Sequence, residues 1–253
     1  MVPKVSEEID NIRNAVEAVG LKKRFGKFTA VTDVTFSVPS GCVFGLLGPN
    51  GAGKTTTLRM LSTVYKPTEG TARIMGRDIV KDPDGVRHSI GVVGESPGLY
   101  DRLTARETVR FYGRLYGMDD RAIARRTEKI FGDLGMEEYA DRRTEKLSKG
   151  MKQKVIIARA MIHDPPVLIL DEPTSGLDVV GSRTVMDFIK DVGRRDKTVL
   201  LSTHVTSIAQ ELCDGVAIIN KGRIMAGGTM KGLLKKHGNL EDFMFGIIGR
   251  RDK

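Results

Sequence analysis

The chain has 253 residues, 40% of them hydrophobic and 29% charged, the balance of a globular protein able to bury a sizeable core as one large α/β domain or two small ones. No apolar run approaches the roughly 18 to 20 residues of a membrane span, and two cysteines, Cys42 and Cys213, are too few for a disulfide scaffold or a metal cluster, so both read as core filler in a reducing compartment. The net charge of +9 comes from scattered lysines and arginines without interleaved aromatics, which fits a solvated surface or one near anionic lipid headgroups better than a nucleic-acid platform.

At the N-terminus, Glu7, Glu8 and Asp10 fall where a secretion signal would carry its apolar stretch, so export of the chain is not expected. Val5, Ile9 and Ile12 recur at helical spacing behind Ser6, which suits either a short appended helix or a frayed tail over 1–14. AVEAVGLKKRFG and FTAVTDVTFSV alternate as strands, and CVFGLL is a continuous apolar run of the buried kind. TTTLRMLSTVY then reads as a helix ending before Lys66-Pro67, and GTARIMGRDI as a hairpin-like pair around Gly76. From about 97 to 161 the apolar spacing turns helical, predicting a helical insert. Beyond it VLILDE, SRTVMDFIKDVGRR, KTVLLSTH, VTSIAQELC and GVAIINKGRIMAGG alternate strand with helix, the pattern of a parallel sheet with helices on its faces. No repeat or Pro- or Ser-rich linker divides the chain, so one domain with lobes is expected over 15–235, followed by a C-terminal extension over 236–253.

Two segments carry chemistry. GPNGAGKT fits the P-loop pattern directly after a buried strand and before a helix. Its cradle comprises Gly48, Pro49, Asn50, Gly51, Ala52, Gly53, Lys54, Thr55 and Thr56. The glycines let backbone N–H groups wrap phosphates, Lys54 reaches the β- and γ-phosphates, and the Thr55 hydroxyl ligates Mg²⁺. VLILDE ends in Asp171, at the strand end where open α/β sheets bind ligands, and Glu172 follows at once. Asp171 is expected at the Mg²⁺ and Glu172 as the base for the attacking water. A second helix start, LSKGMKQK, also suits an anion, with Ser148 as a cap and Gly150 allowing close backbone approach.

In this order the motifs resemble the nucleotide-binding subunit of an ATP-binding cassette (ABC) transporter, a P-loop NTPase with a RecA-like α/β core, an antiparallel β subdomain and a helical subdomain. LSKGM resembles the family signature LSGGQ, PTSGLD the D-loop, and STH the switch segment ending in His204. Phe25 in KKRFG resembles the aromatic that stacks on adenine. The resemblance implies a head-to-tail dimer, with a second copy or a paralogous subunit, in which each ATP lies between one chain's P-loop and the other's signature helix. Ser148 and the Gly150 N–H would then grip the γ-phosphate bound to the partner's Lys54, Asp178 would lie at the interface, and His204 would contact the same phosphate from the P-loop side.

It also implies ATP and Mg²⁺ as cofactors, a separate transmembrane permease docked near Glu95 to Gly117, and a peripheral place at the cytoplasmic face of the membrane. Three positions depart from the family pattern: Lys149 for a glycine, Met151 for a glutamine, and Glu95 where a metal-side glutamine is usual. LSKGMKQK and NLEDFMF resemble the exporter-type branch that includes sodium-efflux and drug- or antibiotic-efflux ATPases. A soluble ABC protein acting on nucleic acid is the rival reading, but the chain has neither the long coiled coil nor the paired cassettes of such proteins. A binding module without turnover would be expected to lack the carboxylate at 172.

Overall fold

The computed structural model describes residues 14–94, 98–194 and 197–249, so the expected N-terminal helix or tail and Glu95 lie outside the described residues. Its centre is a parallel sheet made by β3 (Val43–Leu47), β6 (Ile90–Val93), β7 (Val167–Asp171), β8 (Thr198–Thr203) and β9 (Gly215–Asn220), in spatial order β9-β3-β8-β7-β6. On the β9 side the sheet continues through β10 (Arg223–Thr229) into β2 (Phe28–Pro39), β1 (Asn14–Phe25), β4 (Glu69–Ile74) and β5 (Arg77–Asp78), with β2, β1, β4 and β5 paired antiparallel. This is the expected antiparallel lobe, and Gly76, at φ +79°, turns the β4-β5 hairpin where the sequence placed it.

The central strands read as unbroken apolar runs because both faces are covered. Alternate residues of β7 show it: Val167 and Ile169 pack in one core, Leu168 and Leu170 in the other. The first core lies under α1 (Lys54–Leu61) and α2 (Pro83–Ser89). The second lies under α3 (Ala105–Leu115), α4 (Asp120–Leu134), α5 (Lys149–Met161), α6 (Val179–Gly193) and α7 (Thr206–Leu212), with Phe131 and Leu134 of α4 fully enclosed. The C-terminal helices α8 (Met230–His237) and α9 (Leu240–Ile248) add Met230, Leu233, Leu240 and Phe243 to that second core.

Two expected elements changed. The helix read as running to Tyr65 ends at Leu61, because Thr63 takes φ +61° and the N–H groups of Val64 and Tyr65 both turn back to the Arg59 carbonyl. The helix read from Ser182 begins at Val179, because Asp178 caps it, its Oδ1 accepting the Gly181 N–H at 2.6 Å. Burial raises the pKa of both cysteines, Cys42 to about 12, which leaves them unreactive thiols. No helix among the described residues is long and apolar enough to cross a membrane.

Candidate active site

Three strand ends converge. Leu47 of β3 is register partner to Thr203 of β8, and Asp171 of β7 is partner to Ser202, so the chain leaves adjacent parallel strands at one edge as Gly48, Glu172 and His204. In sequence Gly48 lies more than a hundred residues before Glu172 and His204; strand register brings the three together.

The P-loop is shaped by what its glycines avoid. A Cβ on Gly48 would sit 2.2 Å from the Ile219 carbonyl oxygen of β9, and one on Gly53 2.9 Å from the Ala30 carbonyl oxygen, at φ +106°. Gly51 needs only its φ of +78°. Gly53 is the N-cap of α1 and contributes no side-chain cap bond. The N–H groups of Lys54, Thr55 and Thr56 in the first turn therefore stay available, as helix geometry requires, and point to an anion. Lys54 is 6% exposed, with Nζ 2.8 Å from the Gly48 carbonyl oxygen and 3.2 Å from that of Pro49.

The carboxylates divide by the alternation of β7. Asp171 falls on the α1 side with Val167 and Ile169, is 7% exposed, and lines a cavity of about 160 Å³ with Leu58, Arg59 and Ser62 of the P-loop helix and its end. The Ser202 hydroxyl donates to Asp171 Oδ1 at 2.5 Å and accepts the Glu172 N–H at 3.1 Å. Glu172 departs from the strand at φ +48°, a left-handed conformation that costs a non-glycine residue about 1 to 2 kcal/mol. The bend places its Oε1 3.4 Å from Lys54 Nζ and 3.0 Å from His204 Nδ1. A carboxylate only accepts, so Nδ1 carries the proton in that contact.

An oxygen-rich Mg²⁺ site suits these residues: a buried Asp171 with one oxygen oriented by Ser202, and Thr55, whose hydroxyl makes no hydrogen bond among the described residues. Ser202 itself was not singled out from sequence, where it is one more small residue in TVLLSTH. Phe25 lies at the tip of the β1-β2 hairpin, 42% exposed, beside Tyr65, another residue the sequence did not flag.

Ser148 and Gly150 are elsewhere. Ser148 caps α5, its Oγ accepting the Met151 N–H at 3.2 Å, and no bond among the described residues joins either of them to Lys54, Asp171, Glu172 or His204. Space around a Cβ at Gly150 is open. The first turns of α5 instead meet the segment after Glu172 in the same chain: Gln153 Nε2 donates to the Pro173 carbonyl at 3.1 Å, and the Lys149 side chain lies over Gly176.

Comparison with known proteins accords with this geometry. The family described as ABC transporter matches residues 31–175. The ABC transporter ATP-binding protein NatA of Bacillus subtilis is 45% identical over 81% of this chain and 83% of its own length. The Nod factor export ATP-binding protein I of Paraburkholderia xenovorans is 39% identical over 87% of this chain and 72% of its own. A solved ATP-binding subunit of an ABC transporter superposes with a TM-score of 0.84 at 30% identity, covering 92% of this chain and 99% of that one. By its glycine-lined cradle, its paired carboxylates and these relatives, the chain belongs to the ABC transporter family as an ATP-binding cassette ATPase.

Proposed function

We propose that this chain hydrolyses ATP to drive export through a separate transmembrane permease, working as a head-to-tail dimer at the cytoplasmic face of the membrane. The observation that carries the reading is the Lys54, Glu172 and His204 array, one carboxylate held between an ammonium and an imidazole at the mouth of a phosphate cradle. Lys54 and the N–H groups of the P-loop bind and orient the triphosphate. Thr55 and Asp171 hold Mg²⁺, which when bound neutralises charge on the β- and γ-phosphates. Glu172 takes the proton of the attacking water on the carboxylate oxygen that His204 does not occupy. A contact from His204 Nε2 to a phosphate oxygen calls for the doubly protonated ring, since both its partners then only accept.

Phe25 stacks on the base. Ser148 and the Gly150 N–H serve the partner's triphosphate, and Asp178 lies at the dimer contact. Glu95 completes the metal side. The permease docks on the segment from Glu95 to Gly117, a reading supported by Tyr100, Phe111 and Leu115, which are 58%, 41% and 64% exposed, with Tyr100 and Phe111 in edge contact. Export rather than import is supported by the printed name of the Paraburkholderia relative.

Glu172→Gln tests the assignment: ATP binding is retained and turnover falls roughly 10² to 10⁴-fold, the usual worth of a positioned base. Near wild-type hydrolysis by that variant, measured with the permease partner present, removes Glu172 from the role.

A further inference from the structure

An aromatic ring that stacks on a base has to be held, and the tip of a β-hairpin is a poor place to hold it. Phe25 ends β1 and pairs across the turn with Phe28, which is 66% exposed and offers no wall. The ring meets Tyr65 instead, with centroids 5.3 Å apart and planes at 76°, an edge-to-face pair. Lys23 Nζ lies 5.2 Å from the Phe25 centroid and 5.5 Å from that of Tyr65, and is itself anchored on the Lys66 carbonyl at 2.7 Å.

Tyr65 is tied in turn to the phosphate side of the site. Its N–H bonds the Arg59 carbonyl at 3.0 Å, its hydroxyl receives Arg59 Nη1 at 3.1 Å, and the guanidinium lies 5.7 Å from its ring. Arg59 belongs to α1, whose first turn is the phosphate cradle. The segment after Tyr65 is stitched along β1 as well, by Thr68 N–H to the Lys22 carbonyl, Arg24 N–H to Thr68 Oγ1, and the Lys22–Glu69 ion pair. A continuous set of contacts thus runs from the P-loop helix through Arg59 and Tyr65 to Phe25.

We infer that Tyr65 is a positioning residue for nucleotide recognition, fixing the plane of the Phe25 ring at a set distance from the phosphate cradle. The inference rests on the reading of Phe25 as the base-stacking residue and adds what holds it. Its signature is selective: a ring that sets the base platform matters for a nucleotide and not for a bare triphosphate.

The test is a double-mutant cycle on the full chain by calorimetric titration with Mg-ATP and with inorganic tripolyphosphate. Tyr65→Leu weakens Mg-ATP binding about 2- to 10-fold, the scale of an aromatic pair, and leaves tripolyphosphate affinity in place. In the Phe25→Ala background the same substitution has little further effect, because there is no ring left to hold. Tyr65→Phe, which keeps the ring and drops the Arg59 bond, retains most of the discrimination and guards against a folding artefact in the leucine variant. Equal loss for both ligands, or additive losses in the cycle, overturns the inference and makes Tyr65 a prop of the fold. Phe25→Ala binding Mg-ATP like the wild type overturns the stacking reading and this one with it, an outcome distinguishable from failure of Tyr65 alone.

Discussion

Two helix starts in this molecule suit phosphate, and they are built on opposite plans. At α1 the cap is Gly53, in a left-handed conformation and without a side chain, so the first-turn donors have no internal acceptor, and the lysine that follows is almost wholly buried. At α5 the cap is Ser148, which closes one of its own donors, and the lysine that follows is exposed. The first start has no side-chain cap at all; the second is closed at the Met151 N–H alone and keeps the Gly150 N–H available. A hydroxyl that accepts from Met151 keeps its proton to donate, so Ser148 can cap and grip at once. That difference fits the site and half-site of the proposed dimer, in which one chain would bind the triphosphate by α1 and α5 would close on it from a second chain.

The comparison breaks most sharply in a mixed dimer. Lys54→Ala disables every composite site of a homodimer through the P-loop, and Ser148→Arg does so by filling the phosphate position with a side chain. If α5 acts on the partner, combining the two variants puts both lesions in one site and leaves the other wild type. With Glu172→Gln added to both chains to stop turnover, that dimer traps one ATP, measured by retention on a desalting column, and each homodimer traps none. Trapping by the Ser148→Arg homodimer ends the assignment of Ser148.

A smaller effect probes the buried Asp171–Ser202 pair that lies beside α1. Ser202→Ala removes the donor to Asp171 Oδ1 and one of two acceptors for the Glu172 N–H, whose other acceptor is the Ser202 carbonyl. Stability should fall by about 1 to 3 kcal/mol, the cost of a buried polar group left unpaired. Mg²⁺ dependence of ATP binding should weaken with it. An unchanged denaturant midpoint and unchanged Mg²⁺ titration would mean that Asp171 is oriented by something other than Ser202.

What was legible in the sequence follows the same divide between local and tertiary causes. The runs CVFGLL and VLIL announced buried strands, and GPNGAGKT announced the turn between β3 and α1, because strand burial and phosphate loops are written in consecutive residues. The seven-residue α2 was too short for periodicity to reveal, although Asp82-Pro83 carries its start: Asp82 Oδ1 accepts the Gly85 N–H at 3.0 Å and Pro83 sits in the first turn. The C-terminal helices α8 and α9 likewise begin at side-chain caps, Thr229 and Asn239, that no long apolar stripe accompanies. Ser202 and Tyr65 were illegible for a different reason. Each matters through a partner distant in sequence, Asp171 and Phe25, and nothing in the adjoining residues marks it.

The smallest effect separates the two duties of Ser148, and Gly53, with no cap to lose, has no counterpart to it. Ser148→Ala removes the acceptor for the Met151 N–H and should lower stability by about 1 kcal/mol, or roughly 2 to 4 °C in Tm for a domain of this size. Ser148→Asp should not. Aspartate caps as well as serine, its charge favours the positive end of the helix dipole, and Lys149 and Lys152 lie in the same turn and a half to neutralise it. Yet the aspartate places a carboxylate where the partner's γ-phosphate would sit, and two anions cannot share that position. The aspartate variant should therefore melt at or above the wild-type temperature while failing to trap ATP in the Glu172→Gln background. If it traps ATP normally, the start of α5 holds no phosphate and the contrast between the two helices is only one of capping. If alanine and aspartate lose stability together, Ser148 is doing more for the fold than its single bond to Met151 accounts for.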